Sequence, residues 1–316
     1  MIKKNSFLVI VITLLTTSTS LKTQAQERAI EVSSIRNSDK SVDIQYQKNK
    51  PGSYTIKVKF SNISNTFASD YEDVIQYGSG TLITLRPQNS NLDIGYSYNY
   101  SYSMGNQKPK VDSLFQYLLP FKKGKKVTVY ESTNLNEEYF GAEKVDSWKS
   151  YHITSTTADS IFAMRKGIVV DLKNEYQTDT VTNMVYTSKK NTLLIEHEDG
   201  TYAAYKGFKK DSFKVKLGDI VYPNTMLGVL DRFNNKRYVL HFNIYYHDQS
   251  RIVDNTNATL KTAKSTHAFV TPYFFTKEGL IKIVPKSSFT SETNESIITK
   301  EMSKKEIKQH LKSKTI

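Results

Sequence analysis

Residues 238–246 read YVLHFNIYY. The run has the form of a β-strand with apolar residues on alternate positions, interrupted in its middle by His241. A histidine buried in a strand either has a hydrogen-bond partner or takes part in chemistry, so the role of His241 decides whether this chain is an enzyme.

Upstream of that strand, four more runs carry strand patterning: SIFAMRKGIVVDL (160–172), TLLIEHEDGTYAAYKGF (192–208), SFKVKLGDIVY (212–222) and TMLGVLD (225–231). Gly218-Asp219 suits a tight turn after which IVY pairs back, and Gly167 and Gly228 suit the ends or bends of a small curved sheet. The unit they predict spans 118–285. Ahead of it, SVDIQY (41–46), YTIKVKF (54–60), TLITL (81–85) and IGYSYNYSYSM (94–104) are separated by Pro51-Gly52 and Gly78-Ser79-Gly80. Consecutive short strands of this kind predict an antiparallel sandwich of immunoglobulin type over 27–110. Its tyrosine row, Tyr96 to Tyr102, is expected to be one packed face of a sheet rather than a carbohydrate platform. The boundary falls in 106–126, where Pro109 and a charge run break the pattern. After Pro285 a Ser/Thr-rich linker leads to a lysine-rich helical tail, 286–316, whose apolar stripe is narrow and whose helix is expected to be solvated.

The fold class is therefore all-β with a short basic helical tail. Lys3 and Lys4 precede an apolar run, 7–15, and Thr23-Gln24-Ala25 offers a small-x-small cleavage site, so 1–25 reads as a signal peptide and not as a membrane span. The expectation is an exported protein, periplasmic or extracellular, with no transmembrane segment after cleavage. No cysteine occurs, which rules out both a disulfide framework and a lipid-bearing cysteine. The formal charge of +13 falls to about +10 once the lysines of the leader are removed. A basic exported protein adheres to anionic envelope polymers. Nucleic acid is not expected as a partner, because the lysines are scattered and no nucleic-acid module signature is present. Serine and cysteine nucleophile chemistry is unsupported: there is no G-x-S-x-G elbow and no glycine-rich phosphate loop.

Over residues 150–250 the sequence resembles the lysostaphin-type zinc endopeptidases of bacterial cell walls. SIFAMRKGIVV, NTLLIEHEDGTYAAYKGF, VKLGDIVYPNTMLGVL and YVLHFNIYY stand in the order and spacing of that family's segments, the last where the family has HLHFEI. The resemblance implies a lysostaphin-type β-sheet peptidase-like domain. For an active member it implies a zinc ion held by a histidine, by an aspartate four residues later, and by the second histidine of an H-x-H strand. Two assisting histidines complete such a site.

Carried over residue by residue, that set is depleted. The second histidine of H-x-H corresponds to His241, but the first corresponds to Val239. The assisting histidine of the hairpin corresponds to Gly207, in Tyr205-Lys206-Gly207-Phe208. Counting back from SIFA, the aspartate ligand corresponds to His152 and the histidine ligand to Trp148. No shift in loop length restores the H-x-x-x-D pair, because His152 is the only histidine before residue 197 and Thr156 stands four places after it. Loss of one assisting group typically costs about 10²-fold to 10⁴-fold in rate. The resemblance thus implies a degenerate, non-catalytic member that binds peptidoglycan or an envelope protein such as a cell-wall hydrolase, as regulator or scaffold. Trp148, Tyr205, Gly207 and Val239 are its groove candidates. His152 and His241 are the candidate metal ligands; no cofactor is expected, and zinc is the one to test. The alternative is an active zinc metalloendopeptidase that cleaves peptidoglycan cross-links with recruited ligands such as Asp146 or Glu143. His197 is expected to be structural at a hairpin, and His247, His267 and His310 to be solvated in loops or tail. Glu137-Glu138 read as a solvated loop.

Overall fold

The structure is a computed structural model that describes residues 28–132, 148–178, 187–233, 237–248 and 266–314. The leader 1–25, Glu137-Glu138, Glu143 and Asp146 lie outside the described residues.

Six N-terminal strands make two three-stranded antiparallel sheets. One runs in the order Ile30–Arg36, Val42–Lys48, Ser79–Leu85, and the other in the order Tyr71–Ile75, Tyr54–Ser64, Gly95–Met104. Alternation turns Val42, Ile44 and Tyr46 toward Ile56, Val58 and Ile75, and all are buried in one shared cluster. Each such side chain contributes roughly 1.5–3 kcal/mol by leaving water. Tyr96, Tyr98, Tyr100 and Tyr102 are half-buried against that cluster, with Tyr96 and Tyr98 stacked at 6.4 Å and the Tyr98 hydroxyl donating to the carbonyl of Val32 at 3.3 Å. The tyrosine row is a packed face.

The rest of the chain is built on a ten-stranded sheet. Its main path runs Ile220–Val221, Gly167–Lys173, Asn191–Glu196, Tyr202–Phe208, Arg237–His247, Tyr151–Ser155, Lys126–Glu131, Ser287–Thr290. Arg232–Phe233 and His267–Phe269 also pair with Arg237–His247. Leu193, Ile195, Ala203, Tyr205, Leu240, Phe242, Ile244, Tyr151 and Ile153 line one face and enter a single core. His241 pairs with His152 on one side and with Lys206 on the other, and these residues occupy the opposite face.

Two runs divide differently from their sequence pattern. Residues 160–172 form two strands in two sheets: Ser160–Phe162 pairs with Met226–Val229, whereas Gly167–Lys173 joins the long sheet. The chain crosses between them at the fully buried Met164, whose N–H donates to the Tyr205 hydroxyl at 3.0 Å. Alternation cannot reveal such a crossing, because both halves keep the same period. Of 212–222 only Ile220–Val221 is strand, since the Asp219 carboxylate accepts from the Lys216 N–H at 2.8 Å and closes a turn.

The two cores are joined through the face that carries His241. The buried Glu196 accepts from the Ser53 N–H at 2.8 Å and from the Ser53 hydroxyl. Gly105 packs so closely over this face that a Cβ there would fall 2.3 Å from the Tyr202 hydroxyl oxygen.

The segment read as a linker and solvated tail is more ordered than its composition implies. Ser287–Thr290 pairs with Lys126–Glu131 at the sheet edge, where backbone bonds form without apolar periodicity. Helix α1 (Glu295–Thr299) is capped by Asn294 and buries Ile297 and Ile298 beside Leu118. Arg165, 3% exposed, stacks on Phe115 at 3.6 Å and forms ion pairs with Asp199 at 2.8 Å and Glu301 at 2.7 Å. Helix α2 (Lys304–Lys314) buries no residue, so it is solvated, but Glu306 ties it to Lys166 at 3.0 Å and to the Tyr222 hydroxyl at 2.6 Å. No helix among the described residues is long and apolar enough to cross a membrane.

Candidate functional site

Arg237–His247 lies between Tyr202–Phe208 and Tyr151–Ser155, and this placement brings His241 and His152 into register. Their ring centroids are 5.8 Å apart, tilted by 36°. Nδ1 of His152 lies 2.9 Å from the Ser132 hydroxyl, and its ring stacks on Tyr130 at 5.1 Å. Trp148 belongs to the same surround: its Nε1 donates to the Ser132 carbonyl at 3.1 Å and its ring lies 4.9 Å from Phe269.

Lys190, just ahead of the strand Asn191–Glu196, brings its ammonium to 2.8 Å from Nε2 of His241 and 5.3 Å from the Phe233 ring centroid. An ammonium only donates, so Nε2 accepts and His241 carries its own proton on Nδ1. Burial, followed by the positive charge of Lys190, pushes the His241 pKa down to about 3, and His152, Lys206 and Arg237 act in the same direction. Lys190 is itself pushed down to about 8 by burial and then by Lys206. Burial also lowers His152, with Arg237 and Lys190 adding to the effect. Positive charge therefore converges on this point.

The described residues do not assemble a zinc site. Two facing imidazoles could share a metal, but a zinc site needs three protein ligands with available lone pairs. The Nε2 lone pair of His241 is engaged by an ammonium, and among the described residues no group of three His, Cys, Asp or Glu side chains could hold a metal.

The other groove candidates divide. Val239 and Gly207 line one open, shallow cleft with Lys190, Phe233, Asp231 and Tyr176. Gly207 has φ +111°, and a Cβ there would fall 2.2 Å from the Val239 carbonyl oxygen, so this backbone cannot carry a histidine at that position. Tyr205, read as a groove residue, is instead fully buried in the core with its hydroxyl on the Met164 N–H, because it is its neighbour Lys206 that shares the face of His241.

The remaining histidines are also placed. His247 and His267 are not solvated loop residues but a cross-strand pair, with rings 4.9 Å apart; they close the Arg237–His247 strand and its His267–Phe269 partner. Burial, and secondarily His267, pushes His247 down to about 4. His197 is buried at its hairpin, with Nδ1 2.7 Å from the Lys166 carbonyl. His310 lies 2.6 Å from a Glu295 carboxylate oxygen. Sequence reasoning missed Lys190, since Lys189-Lys190 looks like any solvated pair. Its only local signal is a position immediately before a strand.

Strands and site together define an all-β fold whose His241 face is basic. No family model and no curated protein matches the chain. Solved structures do match. A structure described as a glycyl-glycine endopeptidase lytM from Ruminococcus gnavus is 16% identical, covers 41% of this chain and 54% of that one, and has a TM-score of 0.26. The chain thus spans about half the length of that relative. A zinc containing peptidase from Vibrio cholerae is 12% identical over 68% of this chain and 75% of that one, with a TM-score of 0.23. Csd3 of Helicobacter pylori is 9% identical over 89% and 83%, with a TM-score of 0.28. The neighbours are described as lytM and M23 peptidase structures, and at these identities and scores nothing is transferred from them to this chain.

Proposed function

We propose that this chain is an exported, non-catalytic peptidase-like protein of the bacterial envelope that binds peptidoglycan or a cell-wall hydrolase partner as regulator or scaffold. In this reading 1–25 is a cleaved leader, 27–110 a sandwich module and 118–285 the peptidase-like module, with a docked basic tail after it. One observation carries the loss of catalysis: the ammonium of Lys190 engages the lone pair of His241 that the sequence resemblance assigns to a metal. Val239 and Gly207, at the positions of the two assisting histidines, add to it, because neither can exchange a proton.

The test is metal analysis of the purified mature protein, combined with assays for peptide release from cell-wall sacculi and for sacculus binding at raised salt. The expected result is no stoichiometric zinc, no chelator-sensitive cleavage, and binding that survives salt. Zinc held by three side chains beside His241, with chelator-sensitive cleavage, would overturn the reading. Adherence that washes away entirely in salt would reduce the interaction to nonspecific charge.

A further inference from the structure

The cleft beside His241 carries a chemical preference that deepens the proposed function, on which it rests. Lys190 is half-buried at the inner end of the cleft, and its contacts are the neutral imidazole of His241 and the ring of Phe233. Among the described residues no carboxylate pairs with it. Asp231 lines the same cleft, its Oδ1 accepting from the Thr178 hydroxyl at 2.7 Å and from the Arg232 N–H at 2.8 Å, but Lys189, Lys190 and Arg232 in the same lining outnumber this one acid and leave the cleft net positive. Lys206 lies across from His241 on the neighbouring strand, and Lys189 stands at the rim. A desolvated cation without an anion is costly, and an incoming carboxylate relieves that cost through a charge-assisted hydrogen bond. Val239, Phe233 and Gly207 supply an apolar wall beside the ammonium, against which a small apolar side chain next to the bound group would pack.

We propose that this cleft is a carboxylate site, with Lys190 as its principal cation, and that its ligand is the free terminal carboxylate of a peptide ending in a small apolar residue. The site holds the end of a peptide and makes no bond to it.

Calorimetric titration of the full mature chain with N-acetyl-D-alanyl-D-alanine, its L,L isomer, its C-terminal amide and inorganic phosphate tests this. The D,D acid is expected to bind, and the amide to bind at least about tenfold more weakly, the order expected for one lost charge-assisted hydrogen bond. Lys190→Met is expected to lose acid binding to the same extent, Lys190→Arg to keep part of it, and Lys57→Met, in the sandwich, to leave it unchanged. Melting curves of both Lys190 variants verify that each is folded. Equal binding of acid and amide, unchanged binding by folded Lys190→Met, or phosphate binding tighter than either acid would each overturn the assignment. Equal binding of the D,D and L,L acids without retention on sacculi would support the carboxylate site and reject peptidoglycan as its source.

Discussion

Nζ of Lys190 lies 2.8 Å from Nε2 of His241, so a fixed positive charge stands against the imidazole best placed to act as a ligand or base. Replacing Lys190 with Met removes the nearest charge while the burial of His241 remains. The His241 pKa is expected to rise from about 3, yet to stay below the ordinary histidine value of 6.5, because burial is the larger cause. An NMR titration of the imidazole resonances reads this directly, and an unmoved titration would reject the contact. Stability should change by no more than about 1 kcal/mol, as relief of a desolvated ammonium offsets one lost hydrogen bond.

Gly207 and the Val239 carbonyl set a second expectation. Gly207→His, which would restore the residue type that the resemblance implies, places a Cβ 2.2 Å from that oxygen at a φ of +111°. The variant should lose roughly 1–3 kcal/mol or more from backbone strain alone and gain no hydrolytic activity. Urea denaturation and a peptide-release assay check both parts.

The tail is held by charge at a buried position. Arg165→Leu leaves Asp199 and Glu301 facing each other without their shared cation, and breaking such a pair typically costs about 3–5 kcal/mol. Limited proteolysis should then cut within 292–314 well before it touches the sheet. A tail that stays protected in the variant would show that Ile297 and Ile298 hold it unaided.

Acid should loosen the molecule in two windows. His241 and His197, both pushed down to about 3 by burial, are neutral when folded but take up a proton near 6.5 when unfolded. The unfolded state then binds more protons between those values, so stability rises with pH there and is lost as pH falls from 6.5 toward 3. Glu306 is lowered to about 2, chiefly by the Tyr222 hydroxyl and then by Ser303 and Lys166. Its contribution is full above 4.5 and lost as pH falls toward 2. Hydrogen exchange along α2 should therefore rise in the lower window, and Glu306→Gln should abolish that dependence.

How much of this was legible beforehand varies by residue. The strand at 238–246 could be read because one face buried against a core demands period-2 alternation, and the Tyr96 to Tyr102 row followed the same rule. That Val239 and Gly207 carry no imidazole could also be read directly, since it depends on residue identity alone. Tyr205 was misplaced for a physical reason: alternation sends Tyr205 and Lys206 to opposite faces, but only pairing with His241 decides which face is the groove.

By itself the sequence determined that the chain builds β-sheets, where most strands lie, and that the strand at 238–246 carries a single imidazole, His241. These follow from side-chain identity and short-range periodicity, which are local properties. Only the tertiary structure decided that Lys190 meets His241, that residues 160–172 divide between two sheets, and that Arg165 clasps the tail through Glu301. Each of these depends on strand pairing or charge contact between residues tens of positions apart, and no local pattern encodes which distant groups will share a low-dielectric space.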